Sequence, residues 1–179
     1  GGEWPWGIVV WTQPKSDDER ACDRELTIAA LKQAVEMWHT EKREAYFVGE
    51  SAYAHWLGWL RDVQCGEVDD PKSGMQGNGW CFDVLIHSRR IAGRWLRQRA
   101  DKFDGQAAKE LRTAADHYAE VAELCAKDIN CPWDLALGPN RFDDWTSELR
   151  QEQMARLGRV RGHDRAAVTA IEKTLPSLE

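Results

Sequence analysis

A histidine set inside an apolar stripe is the first feature of this sequence with chemical potential. His87 falls within the series Trp80, Val84, His87, Ile91, Trp95, which recurs at helical spacing and so marks one face of a helix. A histidine on such a face is expected to be at least partly buried, and buried polar groups find partners. It is then either a neutral core residue bonded to a carbonyl or carboxylate, or a ligand contact or general base. Cys81 opens the same predicted helix, where the macrodipole would lower its pKa and favour the thiolate. The two lie six positions apart, on different faces of one helix, so His87 does not readily reach the thiol. The alternative for Cys81 is a small buried hydrophobe. His87 and Cys81 are the catalytic candidates.

The other histidines carry weaker signals. His55 lies beside Tyr53 and Trp56, His117 beside Tyr118, and His39 and His163 near predicted helix ends. A lone histidine does not make a catalytic group. No H-x-x-x-H or H-E-x-x-H spacing occurs, so no metal is expected, although His55, His87 and His117 could converge from three helices as in bundle metal sites. No nucleophile elbow, phosphate loop or dinucleotide fingerprint is present, and no cofactor is expected. The glycines of GMQGNGW precede a helix, but their spacing fits no phosphate cradle.

The aromatic residues point further. The chain has ten tryptophans, and each buried indole brings a large apolar area together with an N–H that needs an acceptor. The densest stretch, residues 45–62, holds Tyr46, Phe47, Tyr53, His55, Trp56 and Trp59. Tyr46, Tyr53, Trp56, Trp80 and Trp95 belong to two predicted helices that flank a glycine-rich break. Neighbouring helices would bring these rings around one small-molecule pocket, with His87, Asn78 and Arg89 as polar anchors. Plain core packing is the alternative. The ligand-binding set is therefore Tyr46, Tyr53, Trp56, Asn78, Trp80 and His87.

Composition bounds the rest. At 179 residues the chain is long enough for one domain with a proper core, residues 1–179, in which 1–14 form an N-terminal strand segment. A net charge of -6 argues against nucleic acid as a partner. Charged residues of mixed sign make up 30% of the chain, the pattern of solvated helix faces. No apolar run approaches the ~20 residues of a membrane span. The opening GGEWPWGIVVWTQP lacks the basic start and long apolar middle of a signal peptide, and reads as the start of a processed chain or excised fragment. Five cysteines without a C-x-x-C pair disfavour a disulfide scaffold and a structural zinc site. Reduced thiols in a cytoplasmic protein follow, with Cys125–Cys131 the nearest pair were one bridge to form.

These residues need elements to position them. Residues 7–12, GIVVWT, form the one convincing strand. A first helix is expected from about 16–18 to 39, with Ile28, Leu31, Val35 and Trp38 on one face, and a second over 50–63, with Tyr53, Trp56, Leu57 and Leu60 together. Residues 42–47 connect them. Residues 66–79, with four glycines and Pro71, read as a mobile loop and gate, with Asn78 capping the next helix. The third helix is expected over 80–100 and the fourth over 106–127, with Leu111, Ala115, Tyr118, Ala122 and Cys125 inward. A loop at 134–141 precedes a fifth helix from 143, which Gly158 and Gly162 break, and Asp164 caps a short final helix. The fold class is mainly α: an irregular bundle of five or six helices with one short N-terminal strand.

Three motifs carry a family resemblance. G-x-x-A-Y-x-x-W-L-x-x-L at residues 49–60, G-N-x-W-x-x-x-x-L with R-x-x-A-x-x-x-L over 77–96, and the closing HDRAAVTAIEKTL resemble a bacterial helical region. That region follows the papain-like fold in butirosin-biosynthesis-H-like and peptidase C39-like proteins, where residues 7–11 would correspond to the last strand of the preceding sheet. The resemblance implies an all-helical unit with Tyr53 and Trp56 inward, Asn78 at a helix start, Arg89 on the third helix, and a substrate-facing role beside a papain-like domain. The cysteine and histidine of that domain have no counterpart here.

Three function readings follow. The first is a small-molecule-binding helical domain, an accessory or substrate-recognition part of a cysteine-dependent acyl-transfer or hydrolytic system. The second is a hydrolase or transferase using His87 with Cys81 or a His-bound metal. The third is a module that docks on another protein chain through Trp4, Trp6 and Trp11.

Overall fold

The computed structural model describes residues 22–127 and 145–178, and the chain there is a bundle of five α-helices with one two-stranded hairpin. The expected strand at 7–12, the loop at 134–141, Cys131 and the N-terminal tryptophans lie outside the described residues.

Helix α1 covers Asp23–His39. The sulfur of Cys22 accepts the Glu25 amide, and the Glu25 carboxylate accepts the Cys22 amide, so a cysteine stands where a capping box usually has a hydroxyl. Leu31 and Trp38 face inward. The segment read as a plain connection is a tight antiparallel hairpin, β1 Lys42–Arg43 against β2 Tyr46–Phe47, turning through Glu44 at a φ of 56°. Helix α2, Gly49–Cys65, starts at a position only glycine tolerates: φ is +55°, and a Cβ would lie 2.2 Å from the Trp38 carbonyl oxygen. It ends on Gly66 in the left-handed conformation.

Helix α3 corrects the sequence reading most. It runs over Pro71–Ala100, so the expected gate at 66–79 shrinks to a short link and Asn78 is a buried helix residue, not a cap. Pro71 sits in the first turn, where its missing N–H costs nothing. Gly74 receives the Trp59 ring, since a Cβ there would lie 2.1 Å from Trp59 Cζ2. Burial of Met75, Asn78 and Phe82 outweighs the helix penalty of the glycines, about 1 kcal/mol each.

Helix α4, Gly105–Cys125, buries Leu111, Ala115, Tyr118, Ala122 and Cys125 as expected. Helix α5, Ser147–Thr174, is continuous where a break and a second helix were expected. Gly158 and Gly162 lie on its exposed face, and Asp164 is buried within it. A 3₁₀ turn, Leu175–Ser177, follows. α4 packs along both α3 and α5, whereas the backbones of α2 and α3 stay apart over most of their length. No helix among the described residues is long and apolar enough to cross a membrane.

Candidate functional site

The space between α2 and α3 is an apolar cavity of about 510 Å³. Residues at helical spacing build its two sides: Ala52, Tyr53 and Trp56 from α2, and Gly77, Trp80, Cys81, Val84 and Leu85 from α3. Trp38, at the end of α1, and Gly49 complete the wall, and Arg89 is the one charged lining residue.

Two polar chains behind the wall fix its rings. The Tyr53 hydroxyl donates to Asp164 Oδ2 at 2.7 Å, and Arg89 donates to both Asp164 oxygens, from Nε and Nη2, each at 2.7 Å. The Asp164 carboxylate is fully buried, so this bidentate pair stands in for its lost hydration. The guanidinium also lies 5.1 Å from the centre of the Tyr118 ring. In the second chain, Trp56 Nε1 donates to Asn78 Oδ1 at 2.7 Å and Asn78 Nδ2 donates to Gln153 Oε1 at 3.2 Å. Trp145 Nε1 donates to the same Gln153 oxygen at 2.9 Å. Tyr53 and Trp56 stack at 6.5 Å, and Trp56 meets Phe82 of α3 at 4.6 Å.

Burial, and then the charge of Asp164, keeps the Tyr53 phenol protonated well above its ordinary range. Burial pushes Tyr118 up to about 12, with Arg89 opposing. For Arg89 burial favours loss of the proton, but the hydrogen bonds and charge of Asp164 outweigh it and its pKa rises. The site therefore presents a fixed cation and the ring of a neutral phenol to an apolar space, with the paired anion behind the wall.

Of the six residues expected to bind ligand, Tyr53, Trp56 and Trp80 line the cavity and three do not. Tyr46 stands on the hairpin, 72% exposed. Asn78 lies behind Trp56, as its hydrogen-bond acceptor. His87 is on the outer face of α3, its side chain 69% exposed and 3.4 Å from Asp83. The stripe assigned to it is not buried either: Trp80, Val84 and Ile91 are all more than half exposed, and of these Trp80 and Val84 border the cavity. Cys81 lies in the third turn of α3, ten residues past the helix start, where the macrodipole does not favour its thiolate. With His87 outside the lining, the two catalytic candidates do not form a site.

His55 stacks on Phe47 at 3.3 Å, outside the cavity. His117 meets His163, not His55 or His87, with their Nδ1 atoms 3.1 Å apart. Among the described residues no group of three histidine, cysteine or carboxylate side chains could hold a metal ion. Cys22, Cys65 and Cys81 are free thiols.

Asp164 is the residue that the sequence reading does not single out, because that reading starts a helix there. The signal was present: Val160, Asp164, Ala167 and Ile171 repeat at 4-3-4 spacing, which places the aspartate in the middle of a buried face. Comparison of the chain with family models, with curated proteins and with solved structures finds no match.

Proposed function

We propose that this chain is a small-molecule-binding helical domain and that its ligand occupies the cavity between α2 and α3. One observation carries the reading: an apolar space of about 510 Å³, walled by Trp38, Tyr53, Trp56 and Trp80, within the ~300–1,000 Å³ range of ligand sites. The polar chains that fix Tyr53 and Trp56 support it, because a pre-set wall loses little freedom on binding. The motif resemblance adds a context, a substrate-recognition part of a cysteine-dependent acyl-transfer or hydrolytic system.

Titration with neutral ring compounds tests the reading. Three tryptophans line the cavity, so their emission should shift on binding. Ala52→Phe narrows the cavity from the α2 side and should weaken binding about tenfold or more while the helical circular dichroism is kept. Equal affinity in that variant, or no response to any ring compound, would remove the cavity as the site.

A further inference from the structure

We propose that the ligand is a neutral ring compound with one carbonyl-type acceptor, which accepts a hydrogen bond from Nη1 of Arg89. This deepens the preceding reading and rests on it.

The first step is a count of polar groups in the wall. Tyr53 and Trp56 both turn their polar ends away from the cavity, Tyr53 to Asp164 and Trp56 to Asn78, and so present ring faces. Cys81 offers a weak donor, and the indole N–H groups of Trp38 and Trp80 in the same wall are neutral donors. Arg89 uses Nε and Nη2 on Asp164, and no described residue accepts from its Nη1. A guanidinium has five N–H groups and accepts nothing, so what Arg89 offers a ligand is donation only. The ligand must supply the acceptor.

The second step is a charge balance. The positive charge of Arg89 is already matched by Asp164, a buried carboxylate at 2.7 Å. A carboxylate ligand would add a second anion beside Asp164, giving the apolar cavity a net negative charge, with desolvation opposing it. A carbonyl accepts the same hydrogen bond without that added charge. A saturated or purely hydrocarbon ligand would leave Nη1 stripped of water without a partner. The indole and phenol walls favour a flat ring for the remainder of the molecule.

Three probes of one shape separate the contributions: 2-acetylnaphthalene, its hydrocarbon isostere 2-isopropenylnaphthalene, and 2-naphthoate. Each is titrated at pH 7.5 into the full chain and into Arg89→Lys. The ketone should bind the wild-type chain about tenfold more tightly than either of the others, the effect of one hydrogen bond to a charged donor. Arg89→Lys keeps a cation for Asp164 but lacks the guanidinium's second terminal nitrogen, and should bring the ketone-to-hydrocarbon ratio close to one. Equal binding of ketone and hydrocarbon to the wild-type chain would overturn the anchor while leaving the cavity as a binding site. Tightest binding by naphthoate would overturn the neutral class. Failure of all three to bind would overturn this inference and the reading beneath it. A tenfold ratio kept in a folded Arg89→Lys would overturn Arg89 as the donor, and if that variant does not fold, loss of the ratio in Trp38→Phe or Trp80→Phe would overturn it instead.

Discussion

The two halves of the bundle core are packed from different side chains, and the difference explains where the cavity lies. Around α4, the core between α3 and α5 is rich in alanine, with Ala100, Ala107, Ala114, Ala115, Ala167 and Ala170 all buried. Small side chains let helix backbones close on each other, to the point that a Cβ on Gly93 would lie 3.2 Å from the Ala115 carbonyl oxygen. Around α2, the core is built from Trp38, Tyr53, Phe82 and Trp145, with Trp56 and Trp59 packed against them. Rings of this size prop helices apart, and rigid flat bodies leave gaps that alanines do not. The recess at the alanine-rich end, beside Asp23 and Lys102, is about 140 Å³ against about 510 Å³ on the ring side. One half is a zipper and the other a frame.

The largest expected effect comes from the group that joins them. Asp164 holds Tyr53 of the ring half and, through Arg89, the face of Tyr118 in the alanine half. Asp164→Asn leaves the guanidinium without its counter-charge and should lower the unfolding free energy by about 3–5 kcal/mol in urea titrations. The triple replacement Tyr53→Phe, Arg89→Met and Asp164→Leu should recover most of that loss, since apolar side chains replace a desolvated ionic pair and the hydroxyl that depends on it. A triple variant as unstable as the single one would mean that the halves need the charge pair itself.

Side-chain growth sharpens the contrast next. Ala115 is fully buried in the zipper, and Ala115→Leu should cost about 1–3 kcal/mol through forced separation of α3 and α4. Gly77 borders the cavity, and a Cβ there meets nothing within 4 Å. Gly77→Ala should instead stabilise the chain by about 0.5–1 kcal/mol, by removing a glycine from a helix interior. Urea midpoints that moved in the same direction for both variants would remove the distinction between a closed half and an open one.

The same contrast sets what could be read from the sequence. The alanine half was legible: Leu111, Ala115 and Tyr118 sit at helical spacing and face inward as the pattern indicates. The ring half was legible in content but not in phase. The buried face of α3 runs through Met75, Asn78, Phe82, Ile86, Gly93 and Leu96, with Arg89 half-buried in the same series. A polar amide, a glycine and an arginine interrupt that face, while Trp80, Val84 and Ile91 form an apolar series two residues out of phase, with His87 between them. A hydrophobicity rule follows the second series and so places His87 inside. The glycines of α3 misled for a related reason: Gly74 is required by the Trp59 ring, a tertiary contact that no local rule contains. That Tyr53, Trp56 and Trp80 border one space was legible because ring density needs no phase.

The smallest expected effect concerns acid, and it should act on the alanine side alone. His117 of α4 and His163 of α5 face each other with 3.1 Å between their Nδ1 atoms, so one ring donates and the other accepts. Burial first, and then the charge of His163, lowers the pKa of His117 below its ordinary 6.5, with Asp116 and Glu120 opposing. The folded chain therefore takes up this proton less readily than the unfolded chain. The resulting stability is fully present above about pH 6.5 and is lost as the pH falls through the depressed folded value. In structural terms, two protonated rings would set N–H against N–H across the α4–α5 seam. His117→Gln removes the group, so the urea midpoint of the wild-type chain should drop more than that of the variant between pH 7.5 and 5.5. Amide exchange should quicken along α4 and α5 in the wild-type chain at the lower pH, and leave α2 unchanged. Equal drops in the two chains, or faster exchange in α2, would mean that the histidine pair does not tune the zipper separately from the frame.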